Sequence, residues 1–177
     1  MNAKTPELDG RFESVIDREG EASSRITVSR LIDHSELLPV VAAWFQSEWP
    51  DWYGAGGPGD VERDVHSYAN EGRLPVGVIA FCAGRPCGAA ALKAESIPSH
   101  AHLAPWAAAG FVVPELRGRG IGALLLSALE AEAKALAYDR IYCGTATANS
   151  LLQRAQWRFI DAVQLHGKQV SIYAKEL

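Results

Sequence analysis

The chain has 177 residues, which is enough for one domain with a sizeable core. Its composition, 48% hydrophobic and 21% charged, is typical of a globular protein and excludes the disordered and fibrous classes. The net charge of -4 argues against nucleic acid or an anionic membrane as the main partner. The sequence has no run of signal-peptide or membrane-spanning character, so we expect a cytoplasmic location.

The three cysteines, Cys82, Cys87 and Cys143, are too few for a disulfide framework in a chain of this size. Cys82 and Cys87 flank the tetrapeptide "AGRP" and are placed to face each other across a hairpin, most simply as packed apolar residues. The sequence contains neither a CxxC pair nor an HExxH motif. It therefore predicts no metal site.

The apolar pattern predicts strands and helices in alternation. Residues 1–24 contain few large apolar side chains and are predicted to form an N-terminal tail, ahead of a strand in "SRITVSRLI". The next segments are predicted, in chain order, as a helix in "DHSELLPVVAAWFQSEW", a glycine-rich aromatic loop at 51–60, a helix in "DVERDVHSYANEG" and a hairpin of "LPVGVIAFC" and "CGAAALKAES". They are followed by a strand in "WAAAGFVV" and a helix from Ile121 to about Ala137. The last predicted elements are a strand in "DRIYCGTAT", a short helix in "ANSLLQRAQW" and a final hairpin around "HGKQ". This order predicts one α/β domain over 25–177.

A glycine-rich turn, "RGRGIG" at 117–122, joins a predicted strand to the strongest predicted helix. The start of a helix carries unpaired N–H groups and the positive end of the helix dipole, and glycines let an anion approach them. Two arginines in the turn can add charge-assisted hydrogen bonds. The turn therefore predicts a phosphate-bearing ligand.

Two well-known phosphate motifs fit this turn poorly. A P-loop requires Lys-Ser/Thr after the last glycine, where this chain has Ala123 and Leu124. A dinucleotide fingerprint is formally present, but the acidic residue expected about 20 positions later is replaced by Tyr142 and Cys143. An NAD-type binder stays open only as a weaker alternative.

The stretch "VVPELRGRGIGALLL" closely resembles motif A of the GNAT superfamily of acetyl-CoA-dependent N-acyltransferases. The pattern Gln/Arg-x-x-Gly-x-Gly/Ala is matched by Arg117, Gly120 and Gly122, and the preceding Val-x-Pro-Glu by residues 112–115. The resemblance implies a mixed, mostly antiparallel sheet flanked by helices and splayed between the fourth and fifth strands. It also implies acetyl transfer from acetyl-CoA to an amine, and it allows a homodimer.

The same resemblance assigns residues to acetyl-CoA, which would lie in the gap between the splayed strands. The pantetheine arm would bond the backbone of Phe111, Val112 and Val113. The pyrophosphate would be held by the backbone N–H groups of the turn, contributed by Arg117, Gly118, Arg119, Gly120, Ile121 and Gly122. Asn149 would contact the pantetheine arm, cap the following helix, or do both.

The proton-transfer groups are less clear from the sequence. Many relatives have a tyrosine in the short last helix that protonates the leaving thiolate, and this chain has Leu152 at that position. Tyr142 and Tyr173 are the alternative phenols. The candidate bases for the acceptor amine are Glu95, His100 and His102. Because direct transfer uses no enzyme nucleophile, Cys143 need not be catalytic.

The loop at 51–60 lies where the resemblance implies the acceptor site. Asp51, Trp52 and Tyr53 are predicted to bind the acceptor, with Trp49 and Glu48 beside them, because aromatic rings and carboxylates suit a cation. The sequence thus predicts an acetyltransferase acting on a small cationic or polar amine. A non-catalytic module that binds acyl-CoA is the alternative, since Leu152 cannot donate a proton.

Overall fold

The computed structural model describes residues 12–14 and 25–177, which form an eight-stranded sheet with the order β1-β2-β3-β4-β5-β6-β8-β7. The strands are β1 (Phe12–Ser14), β2 (Ile26–Arg30), β3 (Val76–Cys82), β4 (Arg85–Lys93), β5 (Trp106–Val112), β6 (Arg140–Thr145), β7 (Arg158–Leu165) and β8 (Lys168–Glu176). Within the described sheet β5 and β6 are parallel, and the other neighbouring strands are antiparallel. The mixed, mostly antiparallel sheet is confirmed.

The helices also follow the predicted order. They are α1 (Leu38–Glu48), α2 (Pro50–Tyr53), α3 (Val61–Tyr68), α4 (Ile121–Ala135) and α5 (Asn149–Arg154), with short 3₁₀ segments at Leu31–Leu37, Pro98–His100 and Pro114–Leu116. The loop expected at 51–60 is partly helical, because α2 occupies its start. Strand β1 lies inside the segment predicted as a tail, and it pairs with β2. The rest of residues 1–24 lies outside the described residues, so the domain boundary at residue 25 stays a prediction.

The two faces of the sheet carry separate cores. Successive residues of a strand point to opposite faces, so Val78 packs with α4 and α5, whereas its neighbour Ile79 packs with α1 and α3. Helix α4 presents one apolar stripe to the sheet, formed by Ile121, Leu125, Leu126, Ala128, Leu129 and Ala133. A third cluster, around Ile97, Trp106 and Tyr142, lies under the 94–105 loop. The sheet is therefore covered on both sides.

The parallel strands β5 and β6 separate soon after they meet. Their pairing is limited to Trp106 with Tyr142 and Ala107 with Cys143. A bulge lies in β5 beyond that point, because Ala108 pairs with Ala91 and Phe111 pairs with Ala89, which leaves one extra residue on β5. Ala109, inside the bulge, has a φ of 52°. The result is an open gap between β5 and β6, which confirms the predicted splay. The strands predicted as the fourth and fifth are β5 and β6 in the structure, because β1 was not predicted.

Across residues 12–14 and 25–177, none of the helices combines the length and the apolarity needed to span a membrane.

Candidate active site

The glycine turn lies at the open end of the gap and presents bare backbone. Gly118 and Gly120 have φ angles of 79° and 85°, which residues with a Cβ rarely adopt. A Cβ added at Gly118 would meet no atom within 4 Å, so this side of the turn is open. Helix α4 begins after Gly120, and within the described part of the chain it has neither a side-chain cap nor an acidic residue in its first turn. These residues fit an anion such as a pyrophosphate.

The start of α5 lies against the start of α4. A Cβ added at Gly122 would lie 3.4 Å from Cδ2 of Leu151, so the two helix starts are in contact. Asn149 begins α5, but the cap position is Ala148 and no side chain caps it. The side chain of Asn149 instead accepts a hydrogen bond from the Tyr173 hydroxyl at 3.0 Å. The capping role is therefore wrong, while the contact with pantetheine stays a prediction.

The backbone at the end of β5 offers fewer groups than the sequence predicted. The N–H of Val113 donates to the carbonyl of Cys87 at 2.9 Å, so it is engaged within the sheet. Neighbouring residues of a strand direct their backbone groups to opposite edges, which turns Val112 toward the gap and Phe111 toward β4. The Val112 carbonyl in fact accepts from Nε of Arg117 at 2.9 Å. Of the three predicted backbone contacts, Val112 is the one that the fold leaves facing the gap.

The two candidate phenols lie on opposite faces of the sheet. Tyr142 packs against Trp106, with 5.7 Å between ring centroids, under the 94–105 loop. Tyr173 lies on the face covered by α4 and α5, and besides its contact with Asn149 it accepts from Nε2 of Gln153 at 3.4 Å. Leu152 is buried in the same core, so an apolar side chain fills the position of the missing tyrosine. Tyr173 is thus the phenol beside α5.

The three candidate bases lie away from the open end of the gap. Lys93, the last residue of β4, pairs with Trp106, the first residue of β5. Glu95 follows Lys93 closely in the chain and therefore lies near the start of β5, whereas the glycine turn follows its end. Nε2 of His100 lies 3.1 Å from Oδ2 of Asp161 on β7, and the His100 ring is stacked on that of His102 with centroids 5.9 Å apart. Strands β8 and β6 separate β7 from the gap, a distance of about 10 Å. Their roles as bases stay predictions.

The predicted acceptor residues form the edge of the α1 to α3 layer. Tyr53 donates to Oδ2 of Asp64 at 2.9 Å, and burial, followed by nearby Tyr68 and Asp64, raises the pKa of Tyr53 well above its usual range. The indole of Trp52 is 41% exposed and its ring centroid lies 5.8 Å from that of His166. Asp51 is exposed. Gly57 and Gly59 of this loop are packed so closely on Trp52 that a Cβ at either position would collide with it.

The sequence did not predict the contacts between α1 and the end of β5. The ring of Trp44 stacks on Phe111 at 5.3 Å and 25°. Nη2 of Arg117 lies 2.9 Å from Oε2 of Glu48. Trp44 and Glu48 are four residues apart, which places both on one face of α1, and this spacing could have been read from the sequence. Which residues they would meet depends on how α1 crosses the sheet.

The cysteines are unpaired thiols in the structure. Burial raises the pKa of Cys143 to about 12, so the thiol stays protonated near neutral pH. Burial, with a smaller contribution from Cys82, raises the pKa of Cys87 to about 11. Neither the buried Cys87 nor the partly buried Cys143 is suited to act as a nucleophile.

A family model described as "Acetyltransferase (GNAT) family" matches residues 41–155, more than half of the chain. The matched segment includes most of α1, the splayed strands, the glycine turn and the whole of α5. The chain belongs to the GNAT acetyltransferase family. It is accordingly an acetyl-CoA-dependent N-acetyltransferase.

Solved GNAT structures share the fold at low sequence identity. The GNAT domain of PAT from S. lividans is similar with a TM-score of 0.69 and 19% identity, covering 98% of this chain and 100% of that one. An aminoglycoside 6'-N-acetyltransferase complexed with coenzyme A gives 0.64 and 15%, with coverage of 93% and 96%. The ribosomal-protein-alanine N-acetyltransferase of Brucella melitensis gives 0.62 and 20%, with coverage of 80% and 95%. No curated protein sequence matches the chain.

Proposed function

We propose that this GNAT domain transfers the acetyl group of acetyl-CoA to a primary amine of a small molecule. The observation that carries the proposal is the gap between β5 and β6, which opens after Ala107 and ends at the glycine turn. A slender pantetheine arm fits between separated strands, and a pyrophosphate fits the uncapped start of α4. The net charge of -4 also suits a cationic acceptor better than an anionic one.

The residues that would hold acetyl-CoA surround this gap. The N–H of Arg117 donates to the Pro114 carbonyl at 3.2 Å, so the backbone N–H groups from Gly118 to Gly122 would bind the pyrophosphate. Arg119, which is exposed, would add charge. Val112 would bond the pantetheine arm through its backbone, since its polar groups face the gap. Asn149 would do so through its side-chain amide, whose oxygen already accepts from Tyr173.

Acetyl-CoA supplies a thioester, whose carbonyl carbon would form a bond to the neutral amine nitrogen while the carbon–sulfur bond breaks and the nitrogen gives up one proton to water. The departing sulfur needs a proton, and Leu152 has none to give. We assign that donation to Tyr173, because its hydroxyl lies at the start of α5, on the same face of the sheet as α4. Tyr142 lies on the opposite face and is less suited to the role.

The acceptor would enter from the side of α1, α2 and α3. Carboxylates and aromatic rings meet there, with Asp51 and Trp52 exposed and Tyr53 bonded to Asp64. Such a surface suits a protonated amine. Structures with this fold include aminoglycoside acetyltransferases and a ribosomal-protein-alanine acetyltransferase, so a protein N-terminus is the acceptor class to test against a small molecule.

The deciding experiment combines two measurements on the full chain. Calorimetry with acetyl-CoA tests the cofactor site, and release of free thiol is then followed with an aminoglycoside, a polyamine, free amino acids and a peptide with a free N-terminus. We expect binding, and thiol release that depends on a small amine. Binding without release for any of these amines would overturn the proposed transfer to a small primary amine. Release with the peptide alone would overturn the acceptor class, and no binding would overturn the cofactor site.

A further inference from the structure

Arg117 belongs to the glycine turn, but its side chain reaches back over the end of β5. Its Nε donates to the Val112 carbonyl and its Nη2 to Oε2 of Glu48, each at 2.9 Å. Its guanidinium lies 5.7 Å from the centroid of the Phe111 ring. The arginine therefore joins the turn predicted to bind phosphate to the last residue of α1.

Each of these contacts lies at the border between the cofactor gap and the acceptor side. Val112 is the β5 residue whose backbone faces the gap. Glu48 is one helical turn after Trp44, whose ring stacks on Phe111, so the end of α1 lies over the end of β5. In the structure, the charge of Glu48 is neutralised by Arg117 and one acceptor atom of Val112 is occupied by the same side chain.

We propose that Glu48 binds a cationic group of the acceptor, and that it becomes available when Arg117 exchanges Glu48 for a phosphate of CoA. The proposal rests on the proposed function, because it assigns residues to the two substrates of that reaction. The side chains of Arg117 and Glu48 are 48% and 37% exposed, and an ion pair of that exposure is weak. A phosphate accepts the same bidentate, charge-assisted hydrogen bonds from a guanidinium as a carboxylate does, so it can replace Glu48 at little cost.

The surroundings of Glu48 favour a cation as its second partner. Trp49 follows it in the chain, and the Trp49 ring lies 6.5 Å from that of Tyr53. Asp64, a second carboxylate of the α1 to α3 layer, already accepts a hydrogen bond from Tyr53, whereas Glu48 would have lost its partner. A carboxylate attracts an ammonium group, and aromatic rings on the same side of the molecule add cation–π attraction. Acetyl-CoA would therefore bind before the amine.

The first test measures CoA binding by calorimetry for the wild type, Glu48→Gln and Glu115→Gln. Glu115 is the matched control, because it is an exposed carboxylate two residues before Arg117. Without Glu48 to compete for Arg117, we expect CoA to bind about two- to five-fold more tightly, as expected for the loss of an exposed ion pair. Pantetheine, which has no phosphate, should bind both variants as it binds the wild type.

The results separate this proposal from the proposed function. A wild type that does not bind CoA overturns the proposed function, and this inference falls with it. Two results would overturn only the exchange at Arg117, in a wild type that does bind CoA. One is that Glu48→Gln binds CoA no more tightly than the wild type, and the other is that Glu115→Gln gains as much affinity as Glu48→Gln. The tighter binding of Glu48→Gln, seen with CoA and not with pantetheine, supports it.

The second test uses the best small amine from the thiol-release panel. We expect Glu48→Gln to raise KM for that amine at least ten-fold while kcat changes less than two-fold, because binding of the cation is what is lost. Glu48→Asp should recover part of the effect, and Glu115→Gln should behave as the wild type. An unchanged KM in Glu48→Gln would overturn the role of Glu48 in binding the acceptor.

Discussion

The hydroxyl of Tyr173 on β8 donates to Oδ1 of Asn149 at the start of α5, across 3.0 Å. Tyr173 pairs with Cys143 on β6, and Cys143 pairs with Ala107, the last residue of β5 before the strands separate. The phenol therefore stands on the α5 side of the sheet, next to the point where the gap opens. A tyrosine from the last strand thus lies beside the helix in which Leu152 has replaced the usual one.

We expect Tyr173→Phe to lower kcat for acetyl transfer at least ten-fold, because a positioned proton donor contributes about 10²- to 10⁴-fold to rate. The substitution keeps the ring and removes the hydroxyl, so KM for acetyl-CoA should change by less. Steady-state thiol release measures both values. Tyr142→Phe removes the other phenol, on the opposite face, and should change kcat less than two-fold; the reverse ranking would assign the proton to Tyr142.

His100→Gln gives a sharp test of the predicted base. The His100 ring is bonded to Ser99 at 3.0 Å and to Asp161 at 3.1 Å, and β6 and β8 lie between β7 and the gap. From this geometry we expect kcat/KM for the amine to stay within about two-fold of the wild type. A true general base would lose roughly a hundred-fold or more. Such a loss, measured where circular dichroism shows an intact fold, would restore His100 as the base.

The sequence predicted the elements well because their signals are local. The alternation of Ile26 and Val28 in β2, the apolar stripe of α4 and the glycines of the turn each follow from spacing along a few residues. The position of the gap followed from the family motif in the same stretch, 112–122. The bulge at Ala109 gives no such signal, since alanine carries no preference for a positive φ.

The contacts within the candidate site could not be predicted in the same way, because they join distant parts of the chain. Arg117 and Glu48 are 69 residues apart, and Tyr173 and Asn149 are 24 apart. No local pattern shows that α1 ends over β5 or that β8 brings a phenol to α5. The histidines of the 94–105 loop were plausible bases by residue type, but the fold directs His100 to β7.

Cys143 gives a prediction about alkaline pH. Burial raises its pKa from an ordinary value of 9.0 to about 12, so between these values the unfolded chain loses the proton while the folded chain keeps it. The free energy of unfolding should therefore fall as pH rises above 9, and the contribution is fully present below that pH. Cys143→Ala lacks this titration, while Cys87 titrates in both proteins.

The test is urea unfolding of the wild type and Cys143→Ala at several pH values. The difference in unfolding free energy should be constant between pH 6 and 8. At higher pH the wild type should lose stability relative to Cys143→Ala, by about 2 kcal/mol at pH 10.5, since one pKa unit corresponds to about 1.4 kcal/mol. A difference that stays constant up to pH 10.5 would show that the thiol is not buried as the structure has it.

The glycine turn can be tested with two matched substitutions, Gly118→Glu and Gly72→Glu. Both glycines have positive φ, 79° and 70°, and at both an added Cβ would meet no atom within 4 Å, so the cost to folding should be similar. Gly72 lies shortly before Val76, the first residue of β3. Val76 pairs with Leu92 of β4, and Leu92 pairs with Ala107 near the start of β5. Gly72 therefore lies at the opposite end of the sheet from the turn.

We expect Gly118→Glu to weaken acetyl-CoA binding more than ten-fold, because a carboxylate would stand where the phosphates bind and repel them. Gly72→Glu should bind acetyl-CoA as the wild type does, although both variants should lose a similar amount of stability, roughly 1 kcal/mol. Calorimetry measures the affinity and thermal unfolding measures the stability. Equal binding by the two variants would mean that the pyrophosphate is held elsewhere, and that the glycines serve only to turn the chain from β5 into α4.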